Sequence, residues 1–401
     1  MIKPRIFINI HYMALGGAER SLLGLLNAID TNKVDVDLFI NQHTGEFMPL
    51  IPKNINLLPE INGYNAIERP MKTILKEGQF GILYARLKAK LKHKRYQNSH
   101  HEFLSSLDVS GLQYIANAVD PFLPSLENLG KYDLAISFLH PHNIVLNKIR
   151  AKKKIAWIHT DYSKIHVNAE LELPIWSGFD YIASISPDCT RSFLKIFPSL
   201  KNRIIEIENI LSTSFIRNES ENGNAEELDS VDCIKLLSIG RFDYAKNYDN
   251  VPDITRRIVT QMPDVKWFII GFGADEDLIR KKIVETGMQN HVILLGKRFN
   301  PYPYIKACDL YVQPSRYEGK SVTVREAQIL HKPVIVTNYP TAPSQIKNGV
   351  DGVIVPMDIE GCSQGIIDLI EKKSLQVNII DYLKSHDYGN EVEVDKIYNL
   401  L

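Results

Sequence analysis

Short apolar runs recur along the chain, and each leads through a polar or glycine-bearing loop into a stretch with helical spacing. In the first half they fall at 5–10, 34–40, 133–138, 154–158 and 181–184. In the second half the rhythm restarts at 234–239, 265–270, 292–295, 310–313 and 333–337. Short, nearly continuous apolar runs are what strands buried on both faces require, and their alternation with helices predicts parallel sheets. The pattern therefore predicts an α/β chain of two doubly wound, Rossmann-like halves. The expected divisions are 1–205, 206–385 and a terminal helix over 386–401 that crosses back to the first half. A charged helical insertion is expected over about 66–130, and a polar, acidic linker over 218–232. Ligands of such folds collect at the carboxyl ends of the strands, so a cleft between the halves is the expected place for chemistry.

Composition narrows this picture by exclusion. Lys+Arg and Asp+Glu both number 47 in 401 residues, so zero net charge argues against nucleic acid as a partner. Cys189, Cys233, Cys308 and Cys362 are too scattered for a metal cluster and read as reduced thiols. No segment reaches the length of a membrane span or a signal-peptide core, so a cytoplasmic protein is expected.

Four loops carry candidate chemistry. Glu318 and Glu326 stand seven residues apart, the first in a loop and the second expected about two turns into the following helix. The amides of Gly319, Lys320 and Ser321 would lie at that helix start, where backbone N–H groups and the dipole favour an anion. After the run at 234–239 comes Gly240-Arg241-Phe-Asp-Tyr-Ala-Lys246-Asn247. A guanidinium and an ammonium there would stabilise a leaving diphosphate without a metal. Gly16 and Gly17, after the run at 5–10, would allow close backbone approach to a phosphate. His159 ends the run at 154–158, where it would hold a hydroxyl or help move a proton; Asp161 is a weaker candidate. The plainer reading of each loop is a strand-to-helix turn with surface charges. Asp35-Val-Asp37 has the form of a metal-binding pair but opens a strand, and is read as structural; no metal and no cofactor are expected.

Taken together, these loops resemble the retaining glycosyltransferases of family 4, which have the GT-B fold. The Glu-x7-Glu pair is similar to that family's signature, and Gly240-Arg241…Lys246 to its phosphate clamp, with Asn247 where many relatives have glycine. The resemblance implies that Glu318 faces the donor sugar and Glu326 the ribose. It implies that Arg241 and Lys246 hold the diphosphate and that His159 lies beside sugar and acceptor. Gly16, Gly17, Gly240, Gly271, Arg298, Gly319, Lys320 and Ser321 would line the donor. Asn209 matches an asparagine at the domain junction. The implied reaction moves a sugar from a nucleotide diphosphate sugar, UDP-sugar before GDP-sugar, to an acceptor hydroxyl with retention. By analogy with relatives, the acceptor is a lipid-linked glycan in bacterial surface polysaccharide (capsule) synthesis. Two other readings fit the residues: a non-catalytic GT-B subunit that binds sugar nucleotide or a partner transferase, and a sugar-nucleotide epimerase of GT-B fold.

Residues 82–95 hold six Lys/Arg, and no acid occurs between Glu77 and Glu102. On a helix, Leu83, Leu87 and Leu91 would align at i, i+4 spacing. An anionic membrane surface is the expected partner, which would make the protein peripheral on the inner face of the plasma membrane. The alternative is a solvated helix packed by its leucines.

Overall fold

The computed structural model describes residues 3–14, 16–67, 69–99 and 107–401. Leu15 of the glycine loop and residues 100–106 of the expected helical insertion lie outside them. The chain divides into two compact units, Met1–Ile210 with Asn390–Leu401, and Leu211–Gly389.

The first unit holds β1 (Arg5–Ile10), β2 (Asp35–Ile40), β3 (Asn56–Leu57), β4 (Leu107–Asp108), β5 (Lys131–Ser137), β6 (Arg150–Ile158), β7 (Ile165–His166), β8 (Tyr181–Ser184) and β9 (Ile204–Glu206). Seven of them form one sheet in the order β3-β2-β1-β5-β6-β8-β9, and β4 pairs with β7 apart from it. All of these pairings are parallel. Ile6, Phe7, Ile8 and Ile10 are fully buried, as strands covered on both faces must be. The chain winds outward from β1 to β3, then returns to lay β5 on the other side of β1, so β1 and β5 flank the switch point.

The second unit repeats the plan with β10 (Ile234–Ile239), β11 (Val265–Ile270), β12 (Val292–Gly296), β13 (Leu310–Gln313), β14 (Val334–Thr337) and β15 (Val353–Val355). Its order is β12-β11-β10-β13-β14-β15, all parallel, with the switch point between β10 and β13.

Two expectations change. The segment 218–232 is no linker. It finishes the helix Thr213–Glu221 and forms the turn Glu226–Asp229, because Ala225 and Leu228 are buried in the second unit's core. The charged insertion is built from the helices Met71–Lys76, Phe80–Ser99 and Ser110–Val119. In the longest of these, Leu87 and Leu91 do not pack inward; Ile82, Ala85, Arg86 and Ala89 do. Arg86 is tolerated inside because its guanidinium donates to the carbonyls of Ala66 and Arg69.

The tail Asn390–Leu401 belongs to the first unit. Asn390 donates to the Asn209 carbonyl at 3.0 Å, and the Asn209 side chain accepts from Ser21 at 2.8 Å. The Glu208 amide donates to Glu393 at 2.9 Å, and Tyr398 Oη accepts the Asp30 amide at 2.7 Å.

Candidate active site

At the carboxyl end of β10 the chain passes through Gly240 into a loop, and at the end of β13 it passes through Pro314 and Ser315 to Glu318. Several bonds join these loops. The Arg316 amide donates to the Ala245 carbonyl at 2.7 Å. Asn247 Nδ2 donates to the Pro314 carbonyl at 2.9 Å. Arg316 grips Asp249 bidentately at 2.9 and 2.7 Å, with its guanidinium 4.2 Å from the centre of the Tyr244 ring. Asn247 occupies the left-handed region at φ 59, where asparagine is the least strained residue after glycine. That conformation turns Lys246 toward the β13 loop.

The consequence is a pinned carboxylate. Glu318 Oε1 accepts from Lys246 Nζ at 2.5 Å, Ser315 Oγ at 2.7 Å and Gln313 Nε2 at 3.0 Å. Gln313 is held in turn by Tyr311, whose hydroxyl donates to its Oε1 at 2.9 Å. Thr341 donates to the Glu318 carbonyl at 2.8 Å, which fixes the backbone as well. The Lys246 and Glu318 side chains are 19% and 11% exposed, so neither rotates freely. Among the described residues Glu318 Oε2 has no partner. A carboxylate with one oxygen saturated presents the other as an oriented acceptor, suited to hydroxyls of a polyol.

The remaining expected residues of this unit are placed as follows. Arg241 is 81% exposed and reaches only Asp243, at 3.6 Å. Glu326 is the fifth residue of the helix Val322–Ile329, one turn in rather than two. Its carboxylate is buried and accepts from Tyr302 Oη at 3.0 Å. Gly319 and Lys320 are exposed at the helix entry, but the Ser321 amide is engaged by Gln345 Oε1 at 3.0 Å. Arg298 is turned to Glu227 and to Tyr304 Oη, the latter at 2.8 Å, and so fastens the 226–229 turn. Gly271 serves a close approach: a Cβ there would fall 1.9 Å from the Gly240 carbonyl oxygen, at φ +157.

In the first unit, Gly16 and Gly17 open the helix Gly17–Ala28. The buried Glu19 folds back over them; a Cβ on Gly16 would lie 2.1 Å from its Oε2. Asp37 is structural, accepting from Arg5 at 2.8 Å, Tyr132 at 2.7 Å and Asn56 at 2.6 Å. Asp161 caps its own turn through the Ser163 amide at 2.9 Å.

His159 follows β6 and stacks near Phe138 and Trp157, at 4.5 and 6.0 Å between ring centres. Burial lowers its pKa to about 3, with the Phe138 backbone working against it. Its Nε2 is sealed from solvent and, among the described residues, has no hydrogen-bond partner.

Pattern reading missed the company it keeps. His11 follows β1 and touches the Leu139 carbonyl at 3.2 Å. His140 and His142 follow β5, and His142 Nδ1 meets Ser137 Oγ at 2.8 Å. Burial drives both rings down, His140 to about 3. His140 Nε2 lies 3.6 Å from buried Glu172, which burial raises to about 7 against the Trp176 indole hydrogen bond. The available signal was a histidine one to five residues past each strand run.

Residues 222–386 match the model of the family described as glycosyl transferases group 1. That match covers most of the second unit. Both units share the doubly wound parallel build of GT-B proteins. HepE of Anabaena, solved in complex with UDP and glucose, superposes with a TM-score of 0.66 at 15% identity, covering 99% of this chain and 98% of that one. An uncharacterized glycosyltransferase of Methanocaldococcus jannaschii is 28% identical over 222 residues, 51% of this chain and 53% of that protein. An N-acetylgalactosaminyltransferase of Campylobacter jejuni is 29% identical over 143 residues, 35% of this chain and 38% of that protein. The substrate of that relative is a diphospho-undecaprenol glycan. The matched stretches thus span about half or less of those relatives' lengths.

Proposed function

We propose that this chain is a retaining glycosyltransferase that moves a sugar from a nucleotide diphosphate donor to an acceptor hydroxyl. The observation that carries this reading is the Glu318 carboxylate, pinned through one oxygen by Lys246, Ser315 and Gln313 at the carboxyl-end switch point of the family-matched unit. Switch points of this kind are where parallel sheets bind nucleotides. Glu318 Oε2 would take donor sugar hydroxyls. Lys246, with exposed Arg241 one loop position away from the core, would stabilise charge growing on the leaving diphosphate, so no divalent metal is required. Glu326 would take the ribose, with Tyr302 setting its rotamer. The amides of Gly319 and Lys320 would face phosphate.

In a front-face retaining route the leaving phosphate oxygen accepts the acceptor proton, and no protein nucleophile is used. A ring with a pKa near 3 is a poor base at neutral pH, so His159 would not carry the acceptor's proton. UDP-sugar is the first donor to test, supported by the UDP seen in the Anabaena neighbour. The Campylobacter relative supports a lipid-linked glycan acceptor in bacterial surface polymer synthesis.

Calorimetry with UDP, GDP, ADP and dTDP in the presence of a chelator tests the reading. Binding of one nucleotide, weakened by Arg241→Ala and Lys246→Met, is the expected result. Failure of all four to bind would sink the donor assignment and favour a non-catalytic subunit.

A further inference from the structure

The helix Phe80–Ser99 has two apolar faces. The inner one packs Ile82, Ala85 and Ala89 into the first unit. It is fastened by His93 to Asp108 at 2.9 Å and by Tyr96 to His166 at 3.1 Å. On the opposite side Phe80, Tyr84, Leu87 and Leu91 are 66%, 64%, 49% and 62% exposed. At about 100° per residue these four fall within roughly 60° of arc and form one straight stripe about 16 Å long. Phe122, itself exposed, lies against Gly81 and widens the stripe at its start.

The stripe is bordered by cations. Lys88 and Arg95 project on one side and Lys90 and Lys94 on the other, all exposed, with Lys92 further round. Among the described residues, none of these five pairs with a carboxylate. Sequence gives the reason, since no Asp or Glu lies between Glu77 and Glu102. Natural surfaces rarely leave such a row of large apolar side chains to water. Phosphate-rich nucleic acid would meet the lysines but leave the leucines and Phe80 uncovered. A layered surface with phosphates above and hydrocarbon beneath matches both features at once.

We infer that this helix lies flat on an anionic lipid bilayer. Phe80, Tyr84, Leu87 and Leu91 enter the boundary between headgroups and acyl chains. Lys88, Lys90, Lys94 and Arg95 meet the lipid phosphates, their methylene stems lying along the apolar layer. Among the described residues no helix is long and apolar enough to cross a membrane, so the contact is interfacial. The inference goes beyond the transfer reaction and does not rest on it, because lipid binding is read without a sugar donor.

Flotation of the full chain with vesicles of phosphatidylcholine, with and without phosphatidylglycerol, tests it. Binding is expected only to the anionic vesicles and should fall as salt rises. Each reversal among Lys88→Glu, Lys90→Glu and Lys94→Glu should weaken it by about fivefold or more. The pair Leu87→Ser with Leu91→Ser should abolish it, while Lys281→Glu, on the other unit, should not. A Tyr84→Trp variant should show a blue-shifted emission on binding. These side chains are exposed, so the variants fold. No binding to anionic vesicles, or binding indifferent to the charge and leucine variants, overturns the inference. So does an oligomer that Leu87→Ser with Leu91→Ser dissolves while vesicles go unbound, since the stripe would then face another protein chain. Tighter retention on duplex DNA than on anionic vesicles would reassign the cations and overturn it as well.

Discussion

The two switch points share a backbone plan and differ in chemistry. In the second unit the ends of β10 and β13 bring together charged groups, Lys246 with Glu318 and Arg316 with Asp249. In the first unit the ends of β1, β5 and β6 bring together His11, His140, His142 and His159, of which burial keeps the last three uncharged at neutral pH. Parallel-sheet topology thus gathers loop residues at one edge without dictating their charge. A charged cluster can offset a developing diphosphate charge, whereas a neutral one offers hydrogen bonds and ring faces.

The sharpest way to break this contrast is to neutralise one group in each unit. Glu318→Gln keeps the shape and removes the charge opposite Lys246. It should lower sugar transfer by roughly 10²–10³-fold in kcat, the scale of losing one oriented electrostatic contact. His142→Asn exchanges one uncharged polar group for another and should leave transfer within about tenfold. Steady-state kinetics with the donor found by calorimetry decides it; the reverse ranking would put the charge-sensitive chemistry in the other unit.

Acid should next separate the units by stability. Folded His142 and His159 sit below their ordinary pKa, while the unfolded rings take protons near 6.5. Their contribution is therefore complete above about pH 6.5 and drains as pH falls. By pH 5 the loss from His159 should be about 2 kcal/mol. Urea unfolding at pH 7.5 and pH 5, followed by tryptophan fluorescence, reads it, since Trp157 and Trp176 report the first unit and Trp267 the second. Glu172 carries the opposite sign. Raised to about 7, it stabilises fully below about pH 4.5 and loses that contribution as pH rises through 7. Glu172→Gln should then gain on the wild type at pH 8 relative to pH 5, by about 2 kcal/mol. Unit midpoints that move together with pH would contradict the neutral-cluster description.

The most local expected effect concerns Asn247. Asn247→Val places a β-branched residue at φ 59 and removes the bond to Pro314, costing about 2–3 kcal/mol, while Asn247→Gly should cost about 1 kcal/mol or less. Thermal unfolding of the second unit measures both. Equal costs would mean that the left-handed turn does not position Lys246.

Much of this was legible from sequence because two-sided burial writes itself into continuous apolar runs. Ten of the thirteen strands in the two large sheets follow from that, and Lys246 and Glu318 follow from loop position. What was not legible depends on strand order. Lys246 reaches Glu318, across 72 residues, only because β10 lies beside β13. His11 meets the β5 loop only because β5 returns to the other edge of β1. Arg298 finds Glu227 across 71 residues, in a segment whose polarity concealed the buried Ala225 and Leu228. Glu326 was placed a turn too deep because the helix starts at Val322, after Ser321 is held by Gln345.

The return of Asn390–Leu401 to the first unit has a consequence for synthesis. The second unit is, topologically, an insertion between two pieces of the first. Every residue of Leu211–Gly389 leaves the ribosome before the segment that covers the Asn209 carbonyl and the Asp30 amide. Domains generally fold as units as they emerge. The half that begins folding first is therefore the last to be completed, and a nascent chain stalled before Asn390 would hold a finished second unit beside an unclosed first one.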